Sequence, residues 1–174
     1  GFNSSGLFRM NIDAEIQPVN SRVVSAHLHL YSNPLLSTVG ESIAVREILQ
    51  PWTVEGNYTA YDDNNNNWSQ IGARGIGTDI GSILDIQQSS LGWMEWNVTY
   101  AVQQAISSGT NSLSVMLYST IDTFDRMVHF TSVDGFSNRP YLELIWANGS
   151  GSVSQDYPNN IFPVDNSVSW DTSS

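Results

Sequence analysis

Short runs in which apolar and polar residues alternate, or in which β-branched residues cluster, recur along most of the chain. Turn-forming residues bound each of them, and the runs cover residues 7–12, 22–31, 42–49, 83–87, 94–99, 112–119, 127–132 and 141–146. A period of two is typical of a strand with one buried face. Many short strands at close spacing predict an all-β fold, an antiparallel β-sandwich.

One segment has a different period. Residues 99–107 carry apolar side chains at helical spacing, with Tyr100, Val102 and Ile106 among them. Thr99 is the predicted N-cap, and a glycine just beyond the segment suits the end of a helix. The sequence therefore predicts one short helix.

The last part of the chain alternates again. Phe162, Val164, Val168 and Trp170 occupy even positions with polar residues between them, and only Asn166 breaks the alternation. The stretch before them is rich in glycine and serine. Such a stretch predicts a flexible tether. The predicted organisation is a domain over 1–147, a linker over 148–158 and an amphipathic strand tail over 159–174. A tethered strand is suited to insertion, so we interpret the tail as a donor strand that completes either its own domain or a neighbouring one.

The charge balance excludes some partners. Seventeen acidic residues face six basic ones, which gives a net charge of −11, and cysteine is absent. A chain this acidic disfavours nucleic-acid backbones, and without cysteine it has neither disulfides nor thiolate metal ligands. No apolar run approaches the length of a membrane span.

The chain also contains several Asn-x-Ser/Thr sequons. They are candidate glycosylation sites, and their asparagines are Asn3, Asn57, Asn67, Asn97 and Asn148. Together with the acidity and the missing cysteine, they favour an extracellular or cell-surface location.

A long aperiodic stretch, residues 50–82, holds most of the candidate ligand-binding residues. A loop of this length in a compact domain is usually functional or folded over the core. Tyr58, Tyr61 and Trp68 could stack on sugar rings, since flat aromatic faces suit apolar surfaces of that shape. Core or loop packing is an equally good interpretation for Trp68 and for Trp52.

Candidate metal ligands are oxygen atoms in the same stretch. Asp62, Asp63 and Asp79 could hold Ca²⁺, although the spacing of an EF-hand loop is missing and a hydrated turn explains the first two as well. His27 and His29 have a strand spacing that could chelate zinc, but a solvated strand face is the preferred interpretation.

No arrangement of residues predicts catalysis. The carboxylates are numerous, yet none lies in a setting that predicts the raised pKa of an acid catalyst. A nucleophile elbow, a zinc-protease helix motif and a phosphate loop are all missing. The sequence therefore does not predict an enzyme.

Six segments in a fixed order resemble one known family. They are Leu-Phe-Arg-Met-Asn-Ile at 7–12, Val-Ser-Ala-His-Leu-His-Leu-Tyr at 24–31, Pro-Trp-Thr-Val-Glu-Gly at 51–56, Trp-Ser-Gln-Ile-Gly-Ala-Arg-Gly-Ile-Gly-Thr-Asp at 68–79, Trp-Met-Glu-Trp-Asn-Val-Thr at 93–99 and Asn-Arg-Pro-Tyr-Leu-Glu-Leu at 138–144. This pattern resembles the DNRLRE domain, a jelly-roll module of secreted and cell-surface archaeal and bacterial proteins that is related to a group of polysaccharide-binding modules. The resemblance implies a jelly roll over nearly all of residues 7–146.

The chain departs from the family pattern in two ways. Asn11 and Asn97 stand where the family usually has aspartate, so a shared carboxylate role does not carry over to them. Family members also usually have one or two strands before the segment at 7–12, where this sequence has only residues 1–6. The resemblance thus implies a jelly roll that lacks a first strand and has a spare one at its end.

These observations lead to two functional hypotheses. The first is a structural or adhesive subunit of an extracellular filament or surface assembly, in which the tail inserts into an identical subunit or a tandem neighbour domain. The alternative is a carbohydrate-binding module of a secreted or surface protein that recognises a polysaccharide. Neither requires a cofactor other than the possible Ca²⁺.

Overall fold

The computed structural model describes residues 5–12, 20–35, 37, 39–53, 55–120, 128–148, 160–163 and 166–170. Its elements in chain order are β1 (Ser5–Asn11), β2 (Ser21–Ser32), β3 (Ser42–Ile48), β4 (Ile80–Gln88), β5 (Gly92–Asn97), α1 (Thr99–Ser107), β6 (Ser112–Ser119), β7 (Tyr141–Asn148), β8 (Asn160–Pro163) and β9 (Asn166–Trp170). For residue 148 and for β8 and β9 the backbone alone is described.

The strands form two antiparallel sheets. Sheet A has the order β4-β3-β6-β1-β9, and sheet B has the order β5-β2-β7-β8. The chain passes repeatedly from one sheet to the other, as in a jelly-roll-like sandwich. The predicted all-β sandwich with one short helix is confirmed.

The main core lies between the sheets and follows from the alternation in each strand. In β2 the residues Ala26, Leu28 and Leu30 are fully buried, and so is Trp96 of β5. They pack with the inward side chains of the other strands and with the buried side of α1. Alternate positions of these strands point away from this core, as a period of two requires.

A second, smaller core covers part of the outer face of sheet A. Leu7 and Met116 pair across β1 and β6, point away from the main core and are nevertheless buried. The loop between β3 and β4 covers them with Trp52 and Trp68. The aperiodic loop predicted to be functional or folded over the core is therefore folded over the sheet.

The predicted strand over 127–132 is not formed in its described part, 128–132. This segment makes only a bridge between Phe130 and Ser32, flanked by backbone hydrogen bonds from Asn33 N to His129 O and from Thr131 N to Tyr31 O. The reason is the register of β7, which begins opposite His29. Only the last residues of β2 are left for the segment to pair with.

The helix has the predicted bounds but a different cap. Val98 occupies the N-cap position and makes no side-chain capping bond. The side-chain carbonyl of Asn97 accepts the N–H of Thr99 at 3.0 Å. The Thr99 hydroxyl instead accepts the N–H of Ala26 at 2.9 Å and ties the helix to β2. Gly109, at φ +74°, lies just past the helix end as expected. In the described part of the chain, no helix has the length and apolar character needed to cross a membrane.

Candidate functional sites

The two strands of the tail lie at the same side of the sandwich. β9 pairs with β1, from Ser5 opposite Trp170 to Arg9 opposite Asn166. β8 pairs with β7, from Tyr141 opposite Pro163 to Leu144 opposite Asn160. In the single chain the tail therefore pairs with its own domain, and it supplies the last strand of each sheet.

The structure divides the tail, which the sequence predicts to be one strand, into two strands. Of the predicted donor residues, Phe162 lies in β8, Val168 and Trp170 lie in β9, and Val164 lies outside the described residues. The interruption of the alternation at Asn166 falls where the chain changes from sheet B to sheet A.

The register also assigns the tail positions to different faces, because residues directly opposite in an antiparallel pair share a face. Position 162 is opposite Leu142, which belongs to the main core. Position 168 is opposite Leu7, which belongs to the second core on the outer face of sheet A. The even positions of the tail are thus distributed over two faces rather than one.

The other side of the sandwich is closed by a side chain. β4 and β5 are the terminal strands of their sheets here. Asp85 of β4 accepts the backbone N–H of Asn97 in β5 at 2.8 Å through Oδ2, and the same oxygen accepts the Gln87 side-chain amide at 2.9 Å. Its Oδ1 accepts the N–H of Ile86 at 2.7 Å. One carboxylate therefore joins the edges of the two sheets.

Asp79 is a structural carboxylate of the loop over sheet A. It is fully buried, and its oxygens accept the backbone N–H groups of Ser69, Gln70 and Gly75 at 2.8 to 3.0 Å. Burial alone would raise the pKa of Asp79, but the hydrogen bonds from Gln70, Ser69 and Gly75 outweigh it, so the pKa lies below its ordinary value. A side chain at Gly75 would collide with the Ser69 hydroxyl and with this carboxylate. Asp79 thus stabilises the conformation of the loop through these backbone hydrogen bonds.

The predicted sugar-stacking residues do not form one exposed platform. Trp68 is only 4 % exposed, and its indole N–H donates to Asn57 O at 2.9 Å. Tyr61 packs edge-on against Trp68, with 5.5 Å between ring centroids. Tyr58 is half-buried, and its ring lies so close to Gly72 that a Cβ there would be 2.7 Å from it. Trp68 and Trp52 serve the second core, which leaves only the two half-buried tyrosines.

The acidic part of the loop is a hydrogen-bonded turn. Asp62 accepts the N–H groups of Asn64 and Asn66 at 3.1 and 2.9 Å and the Asn66 side-chain amide at 2.7 Å. The side-chain bond from Asn66, supported by these backbone bonds, lowers the pKa of Asp62. Asp63 is exposed and accepts the Asn64 amide at 3.3 Å. Within the described residues, no group of three or more His, Cys, Asp or Glu is placed to hold a metal ion.

Three of the sequon asparagines are exposed, namely Asn57, Asn67 and Asn97. The side-chain carbonyl of Asn57 accepts hydrogen bonds from the N–H groups of Thr59 and Ala60 and from the Thr59 hydroxyl, which is the geometry of an Asx turn. Asn3 lies outside the described residues, and for Asn148 only the backbone is described. Glycosylation at these positions stays a prediction.

An open groove of about 490 Å³ occupies the remaining outer face of sheet A. Arg46, which lines it, donates from Nε to the Tyr118 hydroxyl at 2.9 Å and from one terminal nitrogen to Gly81 O at 2.9 Å. This guanidinium therefore connects β3 with β6 and with β4, so its first role is in holding the sheet together.

The outer face of sheet B carries a set of aromatic and ionisable residues that the sequence alone does not bring together. We call it the aromatic–acid face, and its members are His27, His29 and Tyr31 of β2, Trp93 and Glu95 of β5, and Tyr141 and Glu143 of β7. The register aligns them in rows across the three strands. Glu95 and Tyr141 flank His29, Trp93 is opposite Tyr31, and Glu143 is opposite His27.

Each aromatic ring of this face contacts the next one across the sheet. Tyr31 and Trp93 are edge-to-face at 5.4 Å and 76°, and Trp93 and Tyr141 are edge-to-face at 5.2 Å and 64°. Tyr141 stacks on His29 at 4.5 Å and 9°. Trp93 remains 44 % exposed, whereas His29 is 9 % exposed beneath its neighbours. The rings form a continuous aromatic surface in which neighbouring ring planes differ in orientation.

Two carboxylates border the rings. Glu143 Oε2 lies 3.3 Å from His29 Nε2. Burial raises the pKa of Tyr141, and the negative charges of Glu143 and Glu95 raise it further. The face therefore combines aromatic faces with strong hydrogen-bond acceptors.

The signal for this face is present in the sequence, one strand at a time. The alternation in β2 puts His27 and His29 on the side opposite Leu28, and the alternation in β5 separates Trp93 and Glu95 from Trp96. The sequence does not give the strand order, in which β2 lies between β5 and β7.

Comparison with known proteins adds no relative. No protein-family model matches the chain, and a search of curated proteins finds no match.

Proposed function

We propose that the protein is a structural or adhesive subunit of an extracellular assembly, joined to its neighbours by its C-terminal tail. The observation that carries the proposal is the position of β8 and β9, which add the last strand to both sheets at one side. The partners are identical subunits or a tandem neighbour domain.

The need for the tail strands follows from the strands that they cover. Without β9, β1 would be an edge strand, although Leu7, Phe8 and Met10 belong to the two cores. Without β8, β7 would be an edge strand that carries Leu142 and Leu144 of the main core. Exposed edges of this kind are prone to pair with other chains.

The tail can in principle serve either its own domain or another. It pairs with residues far away in sequence, so the pairing does not depend on a tight hairpin. The segment 149–159 between β7 and β8 would span on the order of 40 Å if it were fully extended. Exchange of an identical element between protomers is a low-cost route to assembly. Because the donated strand and the accepting side are different surfaces, such exchange is head-to-tail and grows filaments.

Engineered disulfides can test the exchange, since the chain has no cysteine. Gly6 is directly opposite Ser169 in the pairing of β1 with β9. One chain would carry Gly6→Cys and the other Ser169→Cys, and the two would be mixed under oxidising conditions after mild unfolding and refolding. We expect disulfide-linked heterodimers on non-reducing gels and filaments of wild-type protein by negative-stain microscopy.

A register-shifted pair supplies the control. Gly6→Cys with Ser167→Cys places the two residues diagonally, at about 7–8 Å between Cα atoms, which is beyond the reach of a disulfide. Linkage limited to a chain that carries both Gly6→Cys and Ser169→Cys, with none between separate chains, would refute assembly through the tail.

A further inference from the structure

We infer that the aromatic–acid face of sheet B binds a soluble, uncharged polysaccharide. This inference does not depend on the proposed assembly, because the face lies on the outer side of sheet B and uses side chains of β2, β5 and β7. It also differs from the sugar-stacking site predicted in the loop over sheet A, whose Trp68 is buried.

The aromatic rings provide the first part of the recognition. The C–H faces of pyranose rings are apolar and pack on aromatic faces. Trp93 offers a half-exposed indole, and Tyr31 and Tyr141 contact it from two sides. Trp93 is exposed and the two tyrosines are half-buried, so the rings form a partly exposed surface with polar groups at its border.

The angles between the rings select the form of the polysaccharide. Successive planes are turned by 76° and 64°, so the three rings cannot lie flat on one crystalline surface. A single chain in solution can turn its sugar units to follow them. The face therefore fits a soluble chain better than an insoluble fibre.

The carboxylates disfavour acidic polysaccharides. Sugar hydroxyls donate hydrogen bonds, and ionised Glu95 and Glu143 are strong acceptors for them. The same two charges, on a protein with a net charge of −11, repel uronic-acid or sulfated chains. An uncharged chain gains the hydrogen bonds without this repulsion.

Affinity electrophoresis of the full chain tests the inference. The gels would contain mixed-linkage β-glucan, galactomannan or arabinoxylan as uncharged probes, and polygalacturonate as the acidic one. We expect retardation by at least one uncharged probe and none by polygalacturonate. In a sedimentation assay, we expect no retention on microcrystalline cellulose.

Matched variants connect the binding to the face. Trp93→Ala should weaken binding about tenfold, as expected when an aromatic contact is lost. Glu95→Gln keeps the size of an exposed side chain and should weaken binding severalfold with an unchanged melting temperature. Tyr100→Ala removes an aromatic residue of α1 that is 65 % exposed and lies outside the face, and should bind as wild type.

The inference is overturned by any of four results. The first is that none of the three uncharged probes retards the protein, and the second is that only polygalacturonate or only cellulose retains it. The third is that both Trp93→Ala and Glu95→Gln bind as wild type. The fourth is that Tyr100→Ala loses as much binding as the variants of the face.

Discussion

The two sides of the sandwich solve the same problem in different ways. A strand at the edge of a sheet has outer backbone groups without a strand partner. At the β4/β5 side, the Asp85 carboxylate joins the two terminal strands through the N–H of Asn97. At the β1/β7 side, two strands from the end of the chain pair with Ser5–Asn11 and with Tyr141–Asn148.

Under the proposed function, this difference decides which side can take part in assembly. The Asp85 side chain cannot be exchanged between molecules, because its strand β4 is itself paired with β3 within the sheet. A strand reached through a long connection can be replaced by the same strand of another molecule. Under the proposed function, the Asp85 side is therefore the protected side and the tail side is the one that takes part in exchange.

The largest expected effect is at the tail side. Phe162→Asp would place a carboxylate at the position opposite Leu142, which is fully buried. We expect a loss of about 3 kcal/mol or more in the free energy of unfolding, measured with urea, because a buried unpaired charge is costly. Ile161→Thr, at the position opposite Glu143, is the control and should cost much less. Equal losses in the two variants would contradict the register of β8.

A somewhat smaller effect is expected where the loop supports β1 from outside. Asp79→Ala leaves three buried N–H groups without their acceptor, and we expect a loss of about 3 kcal/mol in urea unfolding at neutral pH.

The same carboxylate predicts a dependence on pH. Its folded-state pKa lies below the ordinary value of the unfolded chain, which is about 3.9. Its stabilising contribution is therefore complete above that pH and is lost as the pH falls through the folded-state pKa. The stability difference between wild type and Asp79→Asn should shrink on acidification. A difference that stays constant down to pH 2 would argue against the charged form as the loop anchor.

At the β4/β5 side the expected change is smaller still. Asp85→Ala removes the acceptor of the Asn97 N–H, and because this carboxylate is half-exposed we expect a loss of about 1 kcal/mol. Amide hydrogen exchange at Asn97 should become faster. Asp85→Asn keeps an acceptor oxygen and should protect this amide in part. An unaltered exchange rate in Asp85→Ala would show that the edge is closed by something else.

The smallest effect is expected at the exposed turn, which belongs to neither side. Asp62→Ala should destabilise the protein less than Asp85→Ala, since its hydrogen bonds compete with water. Ca²⁺ titration of both proteins tests the metal hypothesis, because a bound ion would raise the melting temperature of the wild type alone. An equal response to Ca²⁺ would remove Asp62 as a ligand.

Local pattern was sufficient for much of the fold. The strand over 22–31 and the helix over 99–107 were predictable because their periods of two and 3.6 follow from backbone geometry. The strand predicted at 127–132 is not formed over 128–132. A pattern shows that a segment can pair, but it does not show whether a partner edge is free beside Ser32.

Long-range pairing decided the rest. Trp93 and Tyr141 lie in strands separated by a helix and by β6, and they touch because both strands flank β2. Trp68 is buried because its loop folds over Leu7, which no period within the loop encodes. The sequence by itself thus determined the two sides of strands such as β2 and β5. The tertiary structure alone decided which sides meet, since strand order depends on contacts between residues far apart in the chain.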